Sequence, residues 1–228
     1  MKPTILKTKS FVQDATDLIV KAANEAIARK GRFTFGLCGG KTPESIYAEL
    51  AKRADSLNWS KVIITFGDER CVGPDHADSN FRMASESLLK KVPIPLENIL
   101  RIEGELPPNE AAAKYEKRLL TLFNDQQSEV AHDLLLLGIG DDGHTASLFP
   151  GTVALTEDVH LVTANFVRQF NTYRITFTYR LINRSRAVCF LVNDHRKDAV
   201  VDEIIRGNQT YPAAKVRPVD ELMFVLGT

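Results

Sequence analysis

Apolar residues near the start of the chain recur three and four positions apart: Phe11, Ala15, Leu18, Ile19, Ala22, Ala23, Ala26 and Ile27. That spacing puts them on one face of a helix, with Ser10 before it as a cap and Gly31 as its stop. Residues 32–37 then form a short strand-like run ending in Cys38-Gly39-Gly40-Lys41-Thr42-Pro43. Residues 44–53 return to helical spacing, with Pro43 suited to the first turn. A compact apolar run at 62–66 leads straight into Gly67-Asp68-Glu69-Arg70, and 79–91 reads as another capped helix.

Pro107 and Pro108 introduce an alanine-rich helix running to about Phe123, and 132–137 is the most apolar strand of the chain. Further strands are expected near 159–164, 173–178, 187–193 and 222–226, with a helix near 195–206. Alternating strands and helices predict an α/β fold with a largely parallel sheet, because parallel neighbours need a crossover and the crossover is usually a helix. No repeat, low-complexity tract or linker divides the chain, so 1–228 reads as a single domain. Ligands in such sheets gather at the carboxyl ends of strands. Three polar, glycine-bearing segments, 38–43, 67–80 and 138–152, each follow a strand and are expected to converge on one crevice.

Composition narrows the partners. Of 228 residues, 29 are basic and 29 acidic, so no global field exists to hold nucleic acid or an anionic membrane. Any anion must meet a local site. The N-terminus reaches polar residues too soon for a secretory signal, and no run is long and apolar enough to span a membrane, so a cytoplasmic location is expected. Cys38, Cys71 and Cys189 are odd in number and scattered, which suggests neither a disulfide framework nor a zinc site.

Each glycine-bearing segment has two readings. Gly39-Gly40-Lys41-Thr42 between strand and helix offers outward N–H groups and a helix N-terminus to a phosphate, or it is a tight turn without ligand. It lacks the spacing of a nucleotide triphosphate loop. Asp68-Glu69-Arg70 at a strand end offers a guanidinium fork to phosphate or carboxylate, or Arg70 is an internal ion-pair partner. Glu69 favours the structural reading, and Asp75 and Asp78 read as turn residues. In Gly138-Ile139-Gly140-Asp141-Asp142-Gly143-His144, the histidine is either a general base oriented by a carboxylate or a structural loop residue.

The segments GGKTP, GDER with DSNFRMA, and GIGDDGHTASLFPG, in that order, resemble the signature segments of the 6-phosphogluconolactonases. The resemblance runs through Arg174-Ile175-Thr176-Phe177-Thr178, Lys197 and Pro212-Ala213, about residues 10 to 220. It implies a three-layer α/β/α fold shared with the glucosamine-6-phosphate isomerases and hydrolysis of 6-phosphoglucono-1,5-lactone, a small phosphorylated sugar lactone. It further implies His144 as general base supported by Asp142, with Asp68 lining the sugar pocket. Gly39, Gly40, Lys41, Thr42 and Arg70 would hold anionic groups, with Lys197 and Arg174 adding positive charge. No metal or organic cofactor is implied, since a lactone is already an activated ester.

Two departures stand out. Asn193-Asp194-His195-Arg196 precedes Lys197 where the family more often has a glycine-bearing turn, and the C-terminus lacks the family's usual tryptophan and the aspartate after it. The nearest rival is an aminosugar-phosphate isomerase or deaminase, which Arg70 in place of tyrosine and Phe149 in place of the catalytic glutamate disfavour. A non-catalytic sugar-phosphate sensor would need an output module that the sequence does not contain.

Overall fold

The computed structural model describes residues 2–125 and 130–228. Six parallel strands form its central sheet in the order β1 (Thr4–Thr8), β9 (Glu221–Gly227), β8 (Ala187–Val192), β5 (Leu134–Leu137), β2 (Phe33–Leu37) and β3 (Val62–Phe66). The four leucines of β5 are fully buried, as a central parallel strand covered on both faces requires. α1 (Phe11–Lys30) packs against α2 (Lys41–Lys52) and against β2 and β9, burying Ala15, Ile19, Ala23 and Ala26 along its apolar face. Gly31 ends α1 in the left-handed conformation, with its N–H donating to the Ile27 carbonyl.

A second sheet was not foreseen. β4 (Asp68–Arg70), β7 (Thr172–Phe177) and β6 (Val162–Val167) pair antiparallel in that order, and α4 (Pro108–Asp125) packs across β6 and β7. Strand β4 begins one residue beyond β3, so Gly67 carries the chain out of the parallel sheet and into the antiparallel one. β1 was missed as well. Four of its five residues are exposed at the sheet edge, so it carries no buried run by which a sequence could mark it. α2 starts at Lys41 rather than 44, and the helix expected at 79–91 is α3 (Asn80–Ser87) followed by a separate short turn at Leu89–Lys91. Ser10 precedes α1 but makes no side-chain cap; Thr8 Oγ1 instead accepts from the Ser10 N–H at 2.8 Å.

The core contains one ionisable surprise. His132, just before β5, is fully buried, with Nε2 3.0 Å from Thr65 Oγ1 and Nδ1 3.3 Å from Ser185 Oγ. Burial, reinforced by the charges of Lys30 and Arg184, lowers its pKa to about 3, so the ring is neutral in the folded protein. Among the described residues, no helix is long and apolar enough to cross a membrane.

Candidate active site

The three glycine-bearing segments meet at the carboxyl ends of β2, β3 and β5, where they line a cavity of about 450 Å³. Cys38–Pro43 forms one wall, Asp68, Arg70 and Asn80 another, and Gly138–Gly140 with His144, Ala146, Ser147 and Phe149 a third. Phe170, Arg174, Leu191 and Lys197 complete it. Of the site residues expected from sequence, only Asp142 is not among the residues that line it.

On the first wall, Gly40 has φ +108° and forms the N-cap of α2, so the helix begins inside the glycine loop itself. The first-turn N–H groups have no intrahelical acceptors, and the helix dipole adds partial positive charge there. Gly39 is required by close approach, since a Cβ at that position would lie 1.9 Å from Asn80 Oδ1. Cys38 is not a free nucleophile: burial pushes its thiol pKa up to about 12.

Glu69 builds the second wall rather than binding a ligand. Its buried carboxylate accepts the backbone N–H groups of Arg70, Asn80 and Phe81, each at 2.8 Å, and the Ser79 hydroxyl at 3.0 Å. Those bonds clamp the start of α3 to β4 and favour the ionised form, while burial, the larger influence, raises its pKa. Asp68 is held on both oxygens, Oδ1 by Asn80 Nδ2 at 3.2 Å and Oδ2 by the Ser147 hydroxyl at 2.7 Å. Asn80 and Ser147 therefore fix the second wall to the third, a role that sequence reasoning did not assign to either.

Arg70 forms no ion pair among the described residues; its Nη1 donates to the Asp78 carbonyl. In the β4–β7 register it stands directly opposite Arg174. Like charges facing each other across an antiparallel pair are destabilising, and both Nε atoms are buried without a partner. Burial and then the Arg70 charge lower the Arg174 pKa. Two guanidinium groups with unused donors in one cleft are an arrangement that an anion relieves.

On the third wall, His144 Nδ1 lies 2.6 Å from Asp142 Oδ1, and the same oxygen accepts the His144 backbone N–H at 3.1 Å. The imidazole stacks on Phe149 with centroids 3.9 Å apart. A carboxylate on Nδ1 fixes the tautomer in which Nδ1 carries the proton and Nε2 carries the lone pair. Lys197, despite its altered preceding turn, reaches this wall: Nζ donates to the Ile139 carbonyl at 2.7 Å and lies 3.7 Å from Asp141 Oδ1. Among the described residues no group of three or more His, Cys, Asp or Glu stands in a metal-holding arrangement.

The sequence and the fold are shared with known proteins. Residues 7–225 match the family described as glucosamine-6-phosphate isomerases/6-phosphogluconolactonase. The chain is 40% identical over 222 residues to a 6-phosphogluconolactonase of Nostoc sp., covering 95% of this chain and 91% of that protein. The crystal structure of 6-phosphogluconolactonase from Thermotoga maritima superposes over the whole of both chains with a TM-score of 0.88 at 28% identity. A monomeric glucosamine-6-phosphate deaminase, 18% identical, superposes over 98% of this chain and 97% of its own with a TM-score of 0.82, which shows the shared fold alone.

Proposed function

Since this chain belongs to the family of glucosamine-6-phosphate isomerases and 6-phosphogluconolactonases, we propose that it hydrolyses 6-phospho-D-glucono-1,5-lactone to 6-phospho-D-gluconate in the oxidative pentose phosphate pathway. The observation that carries the reading is the Asp142–His144 pair beside a cavity lined by Lys41, Arg70, Arg174 and Lys197. With Nδ1–H committed to Asp142, His144 Nε2 takes a proton from a water as its oxygen bonds to the lactone carbonyl carbon. The carbonyl π pair moves to oxygen, giving a tetrahedral oxyanion beside the cations. The oxyanion collapses and the ring C–O bond breaks. The imidazolium returns its proton to the departing ring oxygen, and the Asp142 carboxylate stabilises the imidazolium in the interval.

Substrate and transition state together present two anionic demands, the phosphate and the developing oxyanion, and the four cations with the α2 N-terminus answer them. Asp68, anchored by Asn80 and Ser147, lines the sugar pocket. The aminosugar-phosphate reading fares poorly at the same site, because Phe149 has no group with which to relay a proton. Freshly made lactone incubated with the protein should release acid faster than in an enzyme-free control. Unphosphorylated gluconolactone should be a poor substrate, and acid release at the spontaneous rate would overturn the proposal.

A further inference from the structure

Phe170 is a large aromatic residue that the hydrolytic scheme leaves without a task. It sits at the tip of the β6–β7 hairpin, in the short turn Arg168–Phe170, and Asn171 follows in the left-handed conformation at φ +47°. Its side chain lines the cavity and the residue is 52% exposed, so the ring is open to whatever occupies the cavity. Phe149 meets it at 77° with centroids 5.8 Å apart, and Phe149 in turn stacks on His144. The Arg174 guanidinium lies 5.3 Å from the Phe170 ring centroid. The ring is thus held between the base side of the cavity and its cation side.

Resting on the proposed lactone hydrolysis, we infer that Phe170 is a substrate-contacting wall that packs against the C–H groups of the closed sugar ring and selects the cyclic substrate over the open-chain product. The phosphate is common to both molecules, so the glycine loop and the cations grip both. The product has lost the ring and gained a C1 carboxylate; the carboxylate is a matter for the cations, and the ring is what an aromatic wall can sense. A six-membered ring presents a compact apolar face to an aromatic side chain, whereas the open polyol chain presents hydroxyls along its length. A wall at this position strengthens binding of the lactone without strengthening retention of 6-phosphogluconate.

The test is the KM for fresh lactone set beside the Ki of 6-phosphogluconate as a competitive inhibitor, in the parent and in Phe170→Ala, Phe170→Leu and Phe170→Tyr. Loss of the ring in the Ala and Leu variants should raise KM about threefold to tenfold and leave Ki unchanged, while Phe170→Tyr should resemble the parent. Arg174 retains Asp68 and Asp78 as charged neighbours in every variant. KM and Ki rising together would show Phe170 acting only through Arg174 or the hairpin, and an unchanged KM would remove the contact; either result overturns the inference. A parent that does not accelerate lactone opening would instead refute hydrolysis. Calorimetric binding of glucose 6-phosphate, a closed ring, against 6-phosphogluconate then reads the same selectivity without turnover, and equal effects of Phe170→Ala on the two would overturn the wall.

Discussion

The His144 ring occupies the space that a side chain at residue 140 would fill: a Cβ on Gly140 would lie 2.0 Å from His144 Nδ1. The nitrogen that bonds Asp142 is therefore seated directly on the backbone of the glycine loop. Gly140→Ala should push the ring off Asp142 and lower turnover at least tenfold, within the range of losing a positioned base, with a much smaller effect on lactone KM. Steady-state kinetics beside thermal melting check this, and full turnover in a folded variant would contradict it.

Arg70, opposite Arg174 across β4 and β7, should matter for substrate rather than for stability. Arg70→Lys keeps the charge but not the planar fork of donors, so the lactone KM should rise several-fold while the melting temperature changes little. A variant with parental kinetics would place Arg70 outside the site. One with parental substrate affinity and a lower melting temperature would make it a structural residue.

The second wall predicts a stability effect. Asn80→Ala removes the amide that bonds both the Asp68 carbonyl and its carboxylate, leaving buried acceptors without partners at a cost of about 1 to 3 kcal/mol. Urea denaturation should show a lowered midpoint together with reduced turnover, since Asp68 then keeps only its Ser147 anchor.

His132 predicts how stability varies with pH. Its folded pKa of about 3 lies well below the value of about 6.5 of a free histidine, so below about pH 6.5 the unfolded chain binds a proton that the folded chain refuses. Stability from this residue is present above that pH and is lost as pH falls, by up to about 1.4 kcal/mol per unit until the folded pKa is reached. Urea midpoints at pH 7, 6 and 5 should decline in the parent and decline less in His132→Gln.

Much of the site was legible because the glycine-bearing segments follow strands whose burial is continuous along the sequence, as in β2, β3 and β5. The convergence of 38–43, 67–80 and 138–152 needed only the rule that ligands collect at the carboxyl ends of parallel strands. The antiparallel sheet was hidden because β4 has three residues and no apolar run, and its pairing with β7 joins positions about a hundred residues apart. The same distance concealed the Arg70–Arg174 opposition, and the bonds from Asn80, 12 positions on, and Ser147, 79 positions on, to Asp68 depend on how the loop after β4 and the His144 loop fold back over it. For Phe170 the sequence held a faint signal, an aromatic residue beside Asn171 in a turn, but only the fold sets it at the cavity.

The account rests most heavily on His144 as the base that activates water. His144→Asn retains a side chain of similar reach but cannot take up a proton. Acid release from fresh lactone, corrected for spontaneous opening and followed beside thermal melting, measures the loss. The expected result is a folded His144→Asn protein with near-parental KM and turnover lowered by roughly a hundredfold or more. Nearly full background-corrected turnover in that variant would contradict the mechanism.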